Sequence, residues 1–265
     1  MPGSYNARVL VLKKTKLGET DLILTLLSSD GSLIRAVAKG ARKPKSSFAG
    51  RLELGSEARV MLYPAKNLHI VQEAACIDSH AQIRYDAART GAASVAFELM
   101  GLLAQEELPN DRFYPLTCTF LSTCETAPLE ALPALAAAYL LKAMAFAGYR
   151  PQTSTCILCG EPEGMGDPVQ YSFADGGPIC DLCRGLTATQ PVSADLLRHI
   201  HALLHTPFSG IAAMPADFNL SLGLVQFAAA FTEAHTGTRL KTPGFLVSVA
   251  IPLIFPCDSA PDPLQ

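Results

Sequence analysis

Two Cys-x-x-Cys pairs constrain this chain more than any other feature. Cys156-Ile157-Leu158-Cys159 and Cys180-Asp181-Leu182-Cys183 stand twenty residues apart. Two residues between thiolates let both sulfurs of a tight turn point at one ion. Two such turns complete a tetrahedral four-sulfur shell, which suits zinc. Gly160 follows the first pair and Gly185 lies just after the second. Glycine there lets the backbone fold under a metal. Asp175-Gly176-Gly177-Pro178 reads as a turn that brings the pairs together. A redox site is the competing reading, but it needs a single pair after a strand in a βαβ unit, and the surrounding pattern is different. An iron–sulfur cluster is the alternative metal group. A four-sulfur shell leaves no open position for water, so the expectation is one structural Zn2+.

The eight cysteines fit a reducing compartment, where they serve as ligands or buried thiols rather than disulfides. Cys76, Cys118 and Cys124 fall in apolar segments and are expected to be buried, and Cys257 is expected as a free thiol in a tail. Residues Met1 to Asn6 lack the basic-then-apolar pattern of a signal peptide, and a cytoplasmic location is expected. No run reaches ~18 apolar residues without a charge or a proline, so no membrane span is expected. With 265 residues, 49% of them apolar, the chain can bury a real core, which excludes global disorder.

The net charge of −3 conceals an asymmetry. Residues 1–75 hold 12 Lys and Arg against 6 Asp and Glu, a net of +6; the rest holds 9 against 18, a net of −9. Such asymmetry suggests a polyanion-binding module joined to something else. Arg35, Lys39, Arg42, Lys43, Lys45 and Arg51 occupy one stretch of 17 residues without an acid. Lys13, Lys14 and Lys16 add a second cluster. These nine cations are the candidate nucleic-acid contacts, set against the alternative of a merely solvated loop. Phosphate contact of this kind is strongly salt-dependent and weakly sequence-specific. Phe48 either stacks on a base or anchors the loop to the fold.

Residues 5–75 read as strands: 7–12, 22–27, 33–39, 58–63 and 68–71, with a hairpin turn at Asp30-Gly31. Five short strands in such a length suggest a small closed barrel. From residue 80 the period becomes helical, with Val95, Leu99, Leu102 and Leu103 near one face of residues 86–105. Residues 130–147 are apolar almost all round, which predicts a central buried helix ended by Gly148. Residues 150–192 lack helical period. Ser193 is expected to cap a helix that stops at Thr206-Pro207, and Leu220, Leu224, Phe227, Ala228 and Phe231 mark another.

Several chemistries lack their signatures. His201 and His205 share a helix face but lack the glutamate of a zinc protease. The chain holds no G-x-x-x-x-G-K-[ST], G-x-G-x-x-G or G-x-S-x-G, and a binding protein rather than an enzyme is expected.

The runs Gly18-Glu19-Thr20-Asp21, Asp30-Gly31 and Ala38-Lys39-Gly40-Ala41-Arg42-Lys43-Pro44-Lys45-Ser46 resemble the N-terminal barrel of the RecO family of DNA repair and recombination mediators. The four cysteines resemble its zinc-bearing branch, and His235-Thr-Gly237-Thr-Arg239-Leu240-Lys241-Thr242 resembles its C-terminal signature. The resemblance implies an OB-fold barrel at 1–79, then an all-α helical domain at 80–149 and 186–255. The zinc module is inserted at 150–185, and a flexible tail follows at 256–265. It also implies binding of single- and double-stranded DNA, ATP-independent annealing, and action with RecR. Help in loading recombinase onto DNA coated by single-stranded DNA-binding protein follows too, through that protein's acidic C-terminal tail. Lys142 and Arg198 are candidates for the rim of an apolar groove that takes this tail. Two other classes compete. A NAD-dependent DNA ligase also combines an OB-fold with a four-cysteine site, but needs a K-x-D-G lysine that this sequence lacks. An RNA-binding accessory factor of translation or transcription is the other.

Overall fold

Period-two patterning shapes the first 80 residues. In β1 (Tyr5–Leu17), β2 (Asp21–Ser28), β3 (Leu33–Ala38), β4 (Glu57–Tyr63) and β5 (His69–Asp78), alternate side chains enter a shared core. Ile34, Ala36 and Ala38 of β3 point inward, while Arg35 projects to solvent. The strands close into a barrel of order β1-β2-β3-β5-β4, the arrangement of an OB-type fold. All neighbours are antiparallel except β3 and β5, which pair in parallel through Ala36 with His69 and Val37 with Ile70. This is a computed structural model, and it describes residues 3–162, 166–215 and 218–250. The expected tail at 256–265, with Cys257, lies outside the described residues.

The chain divides into two compact units, residues 1–126 and 127–265. The first holds the barrel and three helices: α1 (Ala81–Tyr85), α2 (Ala87–Leu103) and α3 (Phe113–Thr126). The periodicity of 86–105 finds its helix in α2, but α3 had no comparable signal. Its Thr117 and Thr123 are β-branched, and each hydroxyl donates back to the carbonyl four residues earlier, at 2.7 and 2.8 Å. Strand β5 also runs further than its apolar start suggests. Its last residues, Ala75 to Asp78, extend past the barrel core, so Cys76 is exposed rather than buried. Cys124 is buried and Cys118 partly so.

The second unit is built round α4 (Leu132–Phe146), which is apolar on every side and almost wholly buried. The segment Leu129–Phe146 is long and apolar enough to cross a membrane by length and composition, but most of it lies inside this core. Helices α5 (Ala194–His205) and α7 (Phe218–Thr236) pack on α4, with the short α6 (Phe208–Ile211) between them in sequence. Leu224, Phe227, Ala228 and Phe231 of α7 are buried. Helix α8 (Thr242–Phe245) and a π-turn at Leu246–Ala250 follow. Between α4 and α5 lies a three-stranded sheet not foreseen in the sequence: β6 (Val169–Ser172), β7 (Gly177–Ile179) and β8 (Gln190–Val192), in the order β7-β6-β8. Strands of three or four residues are too short to show a period. Ser193 caps α5 by accepting from the Leu196 N–H at 3.1 Å, and Thr206 ends it.

The β2–β3 hairpin tests how tightly the first unit is packed. Gly31 has φ +82°, and a Cβ there would stand 1.7 Å from the Asn110 carbonyl oxygen. Gly31→Ala should therefore lower stability by about 2–3 kcal/mol, read as a shift of the urea midpoint at unchanged m value.

Candidate metal centre and nucleic-acid interface

The second unit gathers the four cysteines into one cluster. The sulfurs of Cys156, Cys159, Cys180 and Cys183 all lie within 4.8 Å of one another. Cys159 and Cys180 stand 3.7 Å apart, close to the ~3.8 Å that four metal–sulfur bonds of ~2.3 Å impose on a tetrahedron. Each pair sits on a tight knuckle. In the first, the Cys156 carbonyl accepts from Gly160 N–H at 2.8 Å, and Cys156 N–H donates to the Glu161 carbonyl at 2.9 Å. In the second, Cys183 N–H donates to the Cys180 carbonyl at 3.1 Å in a 3-10 turn, Asp181–Cys183. Gly160 and Gly185 take φ of +80° and +89°, the conformation their positions demanded.

Electrostatics explains why such a cluster calls for a cation. Burial opposes ionisation of Cys156, yet the backbone N–H groups of Cys180, Cys159 and Leu158 outweigh it and bring the thiol down to about 6. Cys183 moves the other way, to about 12, through its hydrogen bond with Cys180 and through burial. The protein alone stabilises one negative sulfur and resists the next. A divalent ion removes that conflict, because it pairs with all four thiolates at once. The residues therefore fit a metal ion.

In the first unit, the basic residues fall at one end of the barrel. Cross-strand register sets Lys13 opposite Thr25, and Thr25 opposite Arg35, so both cations share the outer face of β1, β2 and β3. Lys16 lies at the end of β1 where β3 runs into Lys39. The loop after β3 is fastened to the β1–β2 turn. Gly40 N–H donates to Asp21 Oδ1 at 2.7 Å, Arg42 N–H to the Thr20 carbonyl at 2.9 Å, and the Arg42 guanidinium to the Gly18 carbonyl at 3.0 Å. The Gly40 N–H, then the Thr20 hydroxyl, hold the Asp21 carboxyl below the usual carboxylate range; Lys39 and Lys43 add to this. Phe48 is buried with Leu52 in the barrel core, which decides between its two readings. It anchors the loop.

Not every predicted cation stands in this group. Lys13, Lys16, Arg35, Lys39, Arg42, Lys43 and Lys45 are exposed around the same end. Lys14 is half-buried and donates to Glu53 at 2.6 Å. Arg51 reaches the other way, to the Ala74 carbonyl on β5 at 3.3 Å. Asp21 is the positioning residue that composition concealed, since an acid counts against a basic patch until its partner, a backbone N–H, is seen.

Arg198 borders a groove of about 500 Å3 lined by Thr153, Ser154, Val169, Ala194, Leu197 and His201. Lys142 is not among its lining residues. Its ammonium donates to the carbonyls of Leu204 and Thr206, at 3.1 and 2.9 Å, where α5 ends. His201 accepts or donates to Thr153 at 2.9 Å, and His205 meets Arg150 at 2.7 Å. Among the described residues no third ligand joins these histidines. One further titratable group was not legible in the sequence. His80, buried and left-handed at φ 41°, bonds Glu125 at 2.9 Å and lies beside Asp78, tying the end of β5 to α3.

Comparison with known families covers nearly all of the folded chain. Residues 1–80 match the family model described as Recombination protein O N terminal, and residues 84–243 match Recombination protein O C terminal.

The Asp21 anchor predicts a local effect. Asp21→Ala should speed amide hydrogen exchange in residues 39–45 severalfold and leave the unfolding midpoint nearly unchanged. Equal protection in both proteins would mean that the backbone contacts of Arg42 hold the loop unaided.

Proposed function

Because the chain belongs to the Recombination protein O family, whose work is DNA repair and recombination, we propose that it is a non-enzymatic mediator that binds and anneals DNA. The observation that carries this reading is the basic end of the closed barrel. A preorganised loop presents Lys39, Arg42, Lys43 and Lys45 beside Lys13, Lys16 and Arg35. Such a surface neutralises successive phosphates of a single or a double strand. Phe48 is committed to the core, so affinity rests on phosphates and sequence preference is weak. Lys14 and Arg51, already bonded within the protein, contribute as neighbouring charge.

Annealing needs no ATP in this reading, because screening of phosphate repulsion lets complementary strands pair spontaneously. The partners proposed are RecR and the acidic C-terminal tail of single-stranded DNA-binding protein, with recombinase loading on coated DNA as the outcome. The groove beside Arg198 suits such a tail, since it joins apolar walls to a cation. Lys142 acts on it only through α5, where it holds the Leu204 and Thr206 carbonyls at the helix end. The site of action is the bacterial cytoplasm, at the nucleoid when DNA is bound. The ion is proposed to be one structural Zn2+ on Cys156, Cys159, Cys180 and Cys183. When bound, it neutralises the thiolates and holds the two knuckles together.

Two experiments test this reading. Wild type should anneal complementary oligonucleotides precoated with single-stranded DNA-binding protein, without ATP. A variant with Arg42, Lys43 and Lys45 changed to Ala should lose this activity while keeping its fold and metal. Normal annealing by the variant at moderate salt would exclude the loop as the DNA contact. A clear preference for RNA in competition would favour an accessory factor of translation or transcription. For the metal, elemental analysis should find one zinc per chain. Cys156→Ser should lose the zinc and become protease-sensitive between residues 150 and 192. Full zinc content and unchanged resistance would refute the assignment.

A further inference from the structure

We infer that a row of apolar side chains on the outer face of the barrel holds the bases of an unpaired strand, a contact that double-stranded DNA cannot make. The inference deepens the DNA-binding reading and rests on it. All the residues concerned belong to the first unit.

Cross-strand register sets the row. Thr15 of β1 stands opposite Ile23 of β2, and Ile23 opposite Val37 of β3. Val37 stands beside Ile70 of β5, and Ile70 opposite Tyr63 of β4. One position from each of the five strands is thus joined in a single line across the barrel, roughly 20 Å long at ~4.8 Å per strand. Their neighbours along the strands, Leu22, Leu24, Ala36, Ala38, Leu62 and Val71, belong to the barrel core, so alternation turns the row outward. Ile23, Val37 and Ile70 are half-buried, and Tyr63 is 37% exposed.

The water-facing side of an antiparallel sheet normally carries polar residues. The line two residues away shows that pattern, because Lys13, Thr25 and Arg35 follow one another across β1, β2 and β3. On the other side Lys39 stands two residues past Val37, and the basic loop continues from it. Two residues along a strand amount to about 7 Å. The apolar row therefore runs between two sets of cations where it crosses β1 to β3. Over β5 and β4 the exposed neighbours are Lys66 in the turn and Glu73 opposite Met61. Contact there is chiefly by a base on the Tyr63 ring.

Charge and apolarity together name the occupant. The cations draw a polyanion. An unpaired strand can turn its bases onto Ile23, Val37, Ile70 and Tyr63 while its phosphates reach Lys13, Arg35 and Lys39. A duplex keeps its base faces stacked inside, so it meets the cations alone. Phosphate contact still carries most of the affinity. Every base has an apolar face, so sequence preference stays weak. When two strands pair, their bases leave the row, and that part of the protein's hold on them is released.

The test titrates the full chain, by anisotropy, with a fluorescent oligothymidylate and with a duplex of the same length. Two variants probe the row. One is Tyr63→Ala; the other combines Ile23→Thr with Val37→Thr, which keeps β-branched residues and hence strand preference. Each should weaken single-strand binding at least about fivefold and leave duplex binding nearly unchanged. Each should also keep the wild-type slope of log affinity against log salt, because no phosphate contact is lost. The variant with Arg42, Lys43 and Lys45 changed to Ala should instead weaken both forms and flatten that slope. Cooperative urea unfolding checks the fold of every variant. A 2-aminopurine placed in the oligonucleotide should lose fluorescence by stacking when wild type binds, a readout that needs no variant. Normal single-strand binding by either row variant, equal weakening of single and double strands, or an unchanged 2-aminopurine signal on wild type overturns the inference and leaves the basic-loop reading standing. If wild type binds neither form of DNA, the DNA-binding reading falls and the inference with it.

Discussion

Barrel closure between β3 and β5 governs where the basic residues can stand. Their parallel pairing inserts β5 between β3 and β4, so the chain leaving β3 cannot turn straight into its successor. It must cross the end of the barrel, and residues 39–56 are that crossing. Phe48 and Leu52 drop from it into the core, while the Asp21 carboxylate and the Thr20 carbonyl take up its N–H groups on the opposite side. A flexible loop with this composition would lose entropy on meeting a phosphate chain. The crossing is held at both sides before any ligand arrives, and its lysines project from a fixed track beside Lys13 and Arg35.

The second unit solves a different problem. Helix α4 buries apolar side chains in every direction, and so needs partners all round. Helices α5 and α7 are two of these. The segment between α4 and α5 borrows that core through Tyr171, which is fully buried against Phe227 of α7. Round the cysteines the burial is thinner: Ile179 is buried, while Leu158, Leu182 and Leu186 face solvent. Order round the cysteines comes from two hydrogen-bonded knuckles, three short strands and four sulfurs close enough for one ion. The same segment lines a groove on α5.

Much of this was legible beforehand, for definite reasons. Cysteine spacing is a local constraint, and a knuckle is closed by hydrogen bonds within a few residues of each sulfur. The β-branched, apolar run at 7–12, the charge spacing in 33–39, the all-apolar run at 130–147 and the Ser193 cap are equally local. Helix α3 was hidden because threonines blur its period. The extension of β5 was hidden because Gln72, Glu73 and the alanines after them have weak strand preference, overcome by pairing with β4. Cys76 misled because apolar neighbours imply burial only where the barrel core reaches.

By itself the sequence determined the four-sulfur set, the barrel, the central helix and the placing of positive charge in the first 75 residues, because each is written in spacing, period or composition. Tertiary structure alone decided which charges act together. It turned Arg51 toward β5, drew Lys14 to Glu53, spent Lys142 on the end of α5, sank Phe48 into the core and made Asp21 part of a basic surface. Those outcomes depend on which backbone carbonyls and carboxylates lie within reach once distant strands and helices meet, and sequence distance carries no record of that.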